Sequence, residues 1–253
     1  MRKFFLIFAV LLMLASSACA EVKIGIIGAM DVEVNLLKEA AEISRITTRA
    51  GMNFCEGRIG SADVVIVKCG MGKVHAGICT QILADIFGVS YVINTGVAGG
   101  LNKDLKIGDV VVAVDSVQHD YDVTPIGFRK GEIPYTGKYA FESDSMLVDK
   151  AMQAVNKIAP EIKVVKGRIC TGDQFIETKE QADAITSVFG GDCCDMESGA
   201  IAQACWSNNI PFVILRSICD IMNGETQADD YSKIEASAAE LCASITKNMI
   251  INF

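Results

Sequence analysis

The stretch VKIGIIG, residues Val22–Gly28, is a continuous run of apolar, mostly β-branched residues that ends in glycine. Such a run predicts a strand that is buried on both faces. Residues Asp31–Ile43 follow almost directly and carry apolar side chains at helical spacing, which predicts a helix. A buried strand that leads into a helix is the repeating unit of α/β folds.

The same alternation continues along the chain. Further strands are predicted at Ala62–Lys68, Tyr91–Asn94, Asp109–Val117, Val164–Cys170, Cys193–Asp195 and Pro211–Ile218. Further helices are predicted at Lys73–Phe87, Ser143–Ile158, Lys179–Val188, Ser198–Asn208 and Tyr231–Ile251, with an irregular segment before about Phe141. We therefore predict a single α/β domain over residues 21–253. It has three layers: a twisted, mostly parallel or mixed central sheet and helices on both faces.

Residues 1–20 have the pattern of a signal peptide. Arg2 and Lys3 precede the apolar run Phe4–Ala15, and the small residues Ala18-Cys19-Ala20 form a cleavage site. An uncleaved anchor is the alternative, but the run is short for a span of about 20 residues. The pattern predicts export to the periplasm or medium, with a mature chain that starts at Glu21 and has no membrane span. Lipid anchoring through Cys19 is a second mode of processing.

Charge and cysteine content exclude several kinds of partner and site. The net charge of −8 disfavours nucleic acid and anionic membrane surfaces. Of the 10 cysteines, nine remain after cleavage, an odd number spread through apolar runs, so we interpret them as small core residues. This conflicts with the usual pairing of exported cysteines. With no pair of CxxC motifs and two distant histidines, we expect no metal site and no cofactor.

Polar residues that follow predicted strands are the candidate site residues, because ligands of α/β sheets bind at the carboxyl ends of strands. Glu33 lies beyond the first strand, Asp220 ends "PFVILRSICD", and Glu197 lies in "CDMESGAI", residues 194–201. Burying a carboxylate is costly unless it is paired or hydrogen-bonded. Asp31 and Glu33 have a structural alternative, since carboxylates are favoured in a first helical turn. Arg216 lies about 13 Å from Asp220 along a strand, so we expect the two residues to have separate roles.

The segment "NTGVAGG", residues 94–100, follows the strand predicted at Tyr91–Asn94 and is a candidate binding segment, with a tight turn as the structural alternative. Its glycines permit close approach and expose N–H groups that could hold an anion or a sugar hydroxyl.

Together these segments resemble the 5′-methylthioadenosine/S-adenosylhomocysteine nucleosidases, a family with the nucleoside phosphorylase fold. The resemblance covers Val22–Phe253. The matching motifs, in order, are "KIGIIGAM-x-x-E", "GMGKV", "NTGVAGGL", "GDVVV", "HDYDVT", "TGDQFI", "DMESGAIA" and "RSICD".

The resemblance implies hydrolysis of the bond between adenine N9 and ribose C1′, for which an acid, a base and a negative charge near the sugar are needed. It assigns Asp220 as the acid at adenine N7 and Glu33 as the base for water. Glu197 binds ribose hydroxyls and stabilises the cationic sugar, and Met196 packs under the ribose. The resemblance gives Asp195 no role, and we expect it to contact backbone or solvent.

The resemblance also implies the substrate contacts. Phe175 stacks on adenine, the Ile176 backbone pairs with N1 and N6, Met71 lines the sugar and thioether side, and Arg216 lies near the sugar hydroxyls. The remaining implied substrate-binding residues are Val97, Ala98 and Gly99 of the glycine segment, and Ile126, Phe128 and Pro134, which reach the partner's site in a homodimer.

Three positions depart from the family pattern. Val97 and Cys219 replace frequent serines, and Met71 replaces a frequent isoleucine. Three alternative functions remain open. They are a nucleoside phosphorylase, a nucleosidase for futalosine-type nucleosides, and a non-catalytic exported nucleoside-binding protein. The first is disfavoured because "GAMDVE" is acidic where phosphate would bind.

Overall fold

The computed structural model describes residues 22–221 and 227–253, so the proposed signal peptide lies outside the described residues. Ten strands are present in this part of the chain: β1 (Lys23–Gly28), β2 (Glu42–Arg49), β3 (Met52–Ile59), β4 (Ala62–Lys68), β5 (Tyr91–Gly100), β6 (Val110–Gln118), β7 (Phe141–Glu142), β8 (Val164–Thr171), β9 (Cys193–Asp195) and β10 (Phe212–Ile221). Its α-helices are α1 (Asp31–Ala40), α2 (Lys73–Asp85), α3 (Ser145–Ile158), α4 (Lys179–Phe189), α5 (Ser198–Ser207) and α6 (Gln227–Ile251).

The strands form one mixed sheet that partly closes on itself. The order is β10-β6-β8-β9-β5-β1-β4-β3-β2, and β10 also pairs with β5. The strands β10, β6, β8, β9 and β5 therefore make a closed ring, from which β1, β4, β3 and β2 extend as an open sheet, and the short β7 pairs with β6. The pairs β1–β4, β1–β5 and β5–β10 are parallel, whereas β5–β9 and β6–β10 are antiparallel. The mixed α/β fold is confirmed.

Helices cover both faces of the sheet, which gives the three predicted layers. Side chains of α2 and α5 pack on one face, where Ile27 of β1 contributes to the core. Side chains of α1, α3 and α6 pack on the other face, which receives Ile24 and Ile26 of the same strand. The alternation along β1 follows from the period of two in strands, and the continuous apolar run reflects burial on both sides.

The hairpin of β2 and β3 is a difference from the prediction. The helix predicted at Asp31–Ile43 ends at Ala40, because Ala41 adopts an extended conformation with ψ 139°. The chain then enters β2, whose side chains are mostly exposed. An outer strand with little buried surface lacks the apolar pattern by which strands are recognised in a sequence.

The predicted end of the third strand at Asn94 is also wrong, and the tight-turn alternative for residues 94–100 is excluded. Strand β5 runs on to Gly100, and its glycines pair with β10, with Gly96 opposite Arg216 and Gly99 opposite Asp220. The glycines serve close packing here, since a Cβ on Gly96 would lie 2.3 Å from Glu33 Oε1.

All nine cysteines in the described part of the chain are reduced and buried, which confirms their interpretation as core residues. Within residues 22–221 and 227–253, no helix combines the length and apolar character needed to cross a membrane. In the same ranges, no cluster of three histidine, cysteine or acidic side chains is arranged to hold a metal ion.

Candidate active site

A cavity opens where β1, β4, β8, β9 and β10 end, beside the last residues of β5. The residues that line the cavity are Ala29, Met30, Glu33, Met71, Val97, Ala98, Gly99, Gln174, Phe175, Ile176, Cys194, Asp195, Met196, Glu197, Cys219 and Asp220. The three predicted catalytic carboxylates therefore meet in one cavity, although they lie far apart in the sequence.

Glu33 lies in the first turn of α1 and is buried. Its carboxylate accepts hydrogen bonds from the backbone N–H groups of Ala29 at 2.6 Å, Met30 at 3.0 Å and Val97 at 3.0 Å. Burial raises the pKa of Glu33, and the positive charge of Arg216 and the three N–H groups oppose this rise. The structural alternative also holds for Glu33, because its carboxylate accepts from the N–H of Met30 at the start of α1; Asp31 is exposed and pairs with Lys68 at 2.6 Å.

Glu197 precedes α5 at its N-terminus and is buried against the cavity. The N–H of Gly72 donates to Glu197 Oε1 at 2.9 Å, and Oε2 lies 3.9 Å from Nη2 of Arg216. Burial, followed by the negative charge of Asp195, raises the pKa of Glu197 to about 7. Glu197 therefore changes its charge near neutral pH.

Asp220 lies at the end of β10 and is only 2% exposed. The β5–β10 register shifts between Ile218 and Asp220, so that Cys219 is an extra residue in its strand. Such bulges redirect side chains, and both Cys219 and Asp220 line the cavity. The thiol of Cys219 donates to Asp220 Oδ1 at 3.0 Å.

Arg216 lies beneath the cavity and does not line it. Its Nε donates to Asp195 Oδ2 at 2.9 Å and its Nη2 to Asn94 Oδ1 at 2.7 Å. The expectation that Arg216 and Asp220 have separate roles agrees with these partners. The expectation that Asp195 contacts only backbone or solvent is wrong, because Asp195 forms a buried ion pair with Arg216 at 2.7 Å. The charge of Arg216 is permanent, so its burial requires this partner.

The predicted adenine and sugar contacts lie around the rim and wall of the cavity. Phe175 is 50% exposed and Met71 is 60% exposed, as expected for side chains that would be covered by a ligand, and Ile176 is buried. Met196 lies between Asp195 and Glu197 on the wall. The N–H of Val97 is already used by Glu33, so Val97 holds the carboxylate in addition to lining the cavity.

Ile126, Phe128 and Pro134 lie apart from this cavity. They belong to the irregular segment after β6, where Ile126 is 70% exposed. The rings of Phe128 and Tyr135 pack edge to face, with their centroids 6.1 Å apart.

Sequence reasoning gave no site role to the wall residues Ala29, Met30, Gln174, Cys194, Asp195 and Cys219. Gln174 lies next to Phe175, and Cys194 lies two positions before Met196, so proximity in sequence could have identified both. Asp195 pairs directly with Thr171 in the β8–β9 register, a relationship that only the sheet order reveals.

Comparisons with known proteins agree with this fold and cavity. The sequence model of the phosphorylase superfamily matches residues 23–251. A 5′-methylthioadenosine/S-adenosylhomocysteine nucleosidase of an Exiguobacterium species is 39% identical over 231 residues, which are 90% of this chain and 98% of the relative.

Two solved structures are similarly close. The Colwellia psychrerythraea nucleosidase of the same name, in complex with adenine, has a TM-score of 0.86 at 39% identity and covers 91% of this chain and 95% of its own. A structure described as futalosine hydrolase of Helicobacter pylori has a TM-score of 0.86 at 30% identity, with coverage of 92% and 99%. The chain therefore belongs to the phosphorylase superfamily and, within it, to the family of 5′-methylthioadenosine/S-adenosylhomocysteine nucleosidases.

Proposed function

We propose that the protein hydrolyses the N-glycosidic bond of 5′-methylthioadenosine and S-adenosylhomocysteine, and of 5′-deoxyadenosine, releasing adenine. The observation that carries this proposal is the convergence of Glu33, Glu197 and Asp220 on one cavity. The relatives that bear the nucleosidase name, one of them with adenine bound, support the choice of substrate.

In the proposed reaction the C1′–N9 bond breaks and its electron pair leaves with adenine. Asp220 protonates N7 of the leaving base. A water molecule forms the new bond to C1′ and gives its proton to Glu33, whose pKa is raised by burial, as suits a base. Glu197 in its charged form accepts from the ribose hydroxyls and stabilises the positive charge that develops on the sugar. Phe175 stacks on adenine and the Ile176 backbone pairs with its N1 and N6 edge.

Hydrolysis is favoured over phosphorolysis by the charge of the cavity. None of the described residues that line it is lysine or arginine, whereas four are acidic. A phosphate dianion would meet Glu33 and Glu197 without a cation at the cavity surface. Adenine release from a panel of nucleosides, with and without phosphate, tests the proposal. Release that requires phosphate would indicate a phosphorylase.

The same panel separates the remaining alternatives. Preferential cleavage of futalosine-type nucleosides would reassign the substrate, for which the Helicobacter pylori neighbour gives a precedent. Nucleoside binding without any cleavage would indicate a non-catalytic receptor. Retention of all three carboxylates in one cavity favours catalysis.

We further propose that the enzyme is a homodimer, in which Ile126, Phe128 and Pro134 close the 5′ side of the partner's site. The exposure of Ile126 supports this, since an exposed large apolar side chain gains from burial in an interface.

We also propose that residues 1–20 direct export and that the mature chain begins at Glu21 or at a lipidated Cys19. The basic start and short apolar run support this. Mass spectrometry of the protein from its native host is the test. A cytosolic form that retains Arg2 would contradict export.

A further inference from the structure

We infer that Asp195 is a positioning residue for this reaction, which holds the guanidinium of Arg216 away from Glu197 and so keeps the Glu197 carboxylate available to the sugar. The inference rests on the proposed nucleosidase function and concerns a residue to which the proposed mechanism gives no role.

Both oxygens of the Asp195 carboxylate are hydrogen-bonded to the protein, although the residue borders the cavity. Oδ1 accepts from the hydroxyl of Thr171 at 2.6 Å. Oδ2 accepts from the hydroxyl of Ser198 and from Arg216, at 2.9 Å from Nε and 2.7 Å from Nη2. The N–H of Ser198 lies 3.3 Å from both oxygens. This carboxylate is a fixed anchor rather than a group poised for substrate.

Arg216 is placed between two carboxylates and is bound to only one. Its Nη2 lies 2.7 Å from Asp195 and 3.9 Å from Glu197 Oε2, and it donates to Asn94 at 2.7 Å. Asp195 and Asn94 thus hold the guanidinium beyond hydrogen-bond distance of Glu197. Without Asp195, the nearest carboxylate that could take its place is Glu197.

Three charged groups and one neutral thiol face Glu197 from four elements. Asp195 faces it from the end of β9, Arg216 from β10, Glu33 from α1 and the thiol of Cys69 from the end of β4. Burial, Asp195 and Glu33 raise the pKa of Glu197, whereas Arg216 and the N–H of Gly72 lower it. Loss of the charge on Asp195 removes one of the influences that raise the pKa of Glu197. It also frees Arg216 to approach Glu197 and to lower that pKa further.

A Glu197 carboxylate paired with Arg216 would serve the reaction poorly. The guanidinium would occupy the oxygen that accepts from the ribose and would cancel the charge that stabilises the sugar cation. Asp195 therefore prevents a buried ion pair that would otherwise be favourable.

Asp195→Asn tests this through the pH dependence of kcat/KM for methylthioadenosine. The acid limb of this profile is the range in which activity falls as the pH decreases. We expect it to move to lower pH by about one unit, since a closer opposite charge lowers a carboxyl pKa, here that of Glu197, by about 1–3 units. We also expect the plateau to fall about tenfold or more, because charge stabilisation is lost. Ser198→Ala is the matched control, since it removes a hydrogen bond to the same carboxylate and leaves the charge. Its acid limb should stay at the wild-type position.

The Glu197→Gln background shows whether the shift acts through Glu197. In its residual activity, Asp195→Asn should no longer move the acid limb. Should Asp195→Asn fail to fold, Asn94→Ala removes one of the two partners of Arg216 Nη2 and should move the limb in the same direction by less. A folded Asp195→Asn protein with the acid limb of Ser198→Ala would overturn the inference. Absence of adenine release by the wild-type enzyme would instead overturn the proposed function.

Discussion

Glu33 lies directly against Gly96, so closely that a Cβ at Gly96 would be 2.3 Å from Glu33 Oε1 and 3.1 Å from Nη1 of Arg216. The absence of a side chain at this position of β5 is therefore what allows the base and the buried arginine to occupy their places. The pocket that receives the Glu33 carboxylate is made as much by this glycine as by the three N–H donors.

Gly96→Ala should consequently reduce kcat by displacing Glu33, because separations below about 3 Å force the neighbouring atoms to move and a misplaced catalytic group can cost about 10²-fold in rate. Steady-state kinetics and thermal unfolding measure the effect. Gly77→Ala is the control, since a Cβ at this position of α2 would contact nothing within 4 Å. Alanine at an interior helical site should raise stability by about 0.5–1 kcal/mol. Equal activity of the two variants would contradict the conclusion that the missing side chain at Gly96 is what leaves room for Glu33.

Glu33→Gln should lower kcat by about 10²–10⁴-fold, because an amide cannot accept the proton of water. Adenine binding should change little, since the proposed base contacts do not involve Glu33. Asp31→Asn, in the same helical turn but exposed and paired with Lys68, is the control for a lost acidic charge. Near wild-type turnover in the Gln variant would mean that water is activated by another group.

Asp220→Asn should lose most of its rate on adenine nucleosides, because the leaving base needs a proton that an amide cannot deliver. The loss should be much smaller on nitrophenyl ribosides, whose leaving group needs none. Glu197→Gln should be slow on both substrates, since every ribosyl cation needs the charge. If folded Asp220→Asn is equally impaired on the nitrophenyl riboside, Asp220 is not the acid.

The stability of the ligand-free protein should depend on Glu197 between about pH 4.5 and 7. The pKa of Glu197 is about 7 in the folded protein, against an ordinary 4.5. The folded state thus binds the proton more tightly than the unfolded state. This contribution is complete below the unfolded pKa and is lost as the pH rises towards the folded one. The loss is up to about 3 kcal/mol.

Urea unfolding of Glu197→Gln at several pH values measures this. The variant resembles the protonated form, so its stability relative to wild type should grow as the pH rises through this range. Glu142→Gln is the control, because a surface hydrogen bond from Lys138 lowers the pKa of Glu142, and its effect should be small and opposite in sign. A constant difference between Glu197→Gln and wild type would contradict the raised pKa.

Mixing two inactive variants should restore activity if the proposed dimer shares its sites. Ile126→Asp should impair the partner's site by placing a charge in its apolar wall, and Glu33→Gln should impair its own. A mixed dimer has one site with an intact Glu33 and an intact Ile126 from the other chain. Exchange of subunits should therefore return about a quarter of wild-type activity, the share of intact sites under random pairing of equal amounts. No recovery despite mixed dimers detected by native mass spectrometry would exclude shared sites.

The sequence alone predicted those parts of the fold and of the candidate site that depend on the chemistry of individual residues. Continuous apolar runs identified the buried strands, and the carboxylates at strand ends identified Glu33, Glu197 and Asp220. The β2–β3 hairpin was not predicted, because an exposed outer strand lacks the apolar pattern by which strands are recognised. Strand β5 was predicted to end at Asn94, because glycine is unfavourable within a strand. In the structure the strand continues, and Gly96 leaves room for the neighbouring carboxylate of Glu33. The ion pair between Arg216 and Asp195 depends on the order of the strands in the sheet, which the local sequence does not determine.

The nine buried thiols have a consequence for the proposed export of the chain. Attack on a disulfide requires a thiolate, and burial raises the pKa of Cys170 and Cys242 to about 12 and that of Cys193 and Cys194 well above its usual range. These sulfurs are chemically quiet once folded. During the proposed translocation the unfolded chain would expose the same side chains to oxidants, with no native pairing to guide them. In an oxidising compartment, the thiols would then stay unpaired only where folding is faster than their oxidation.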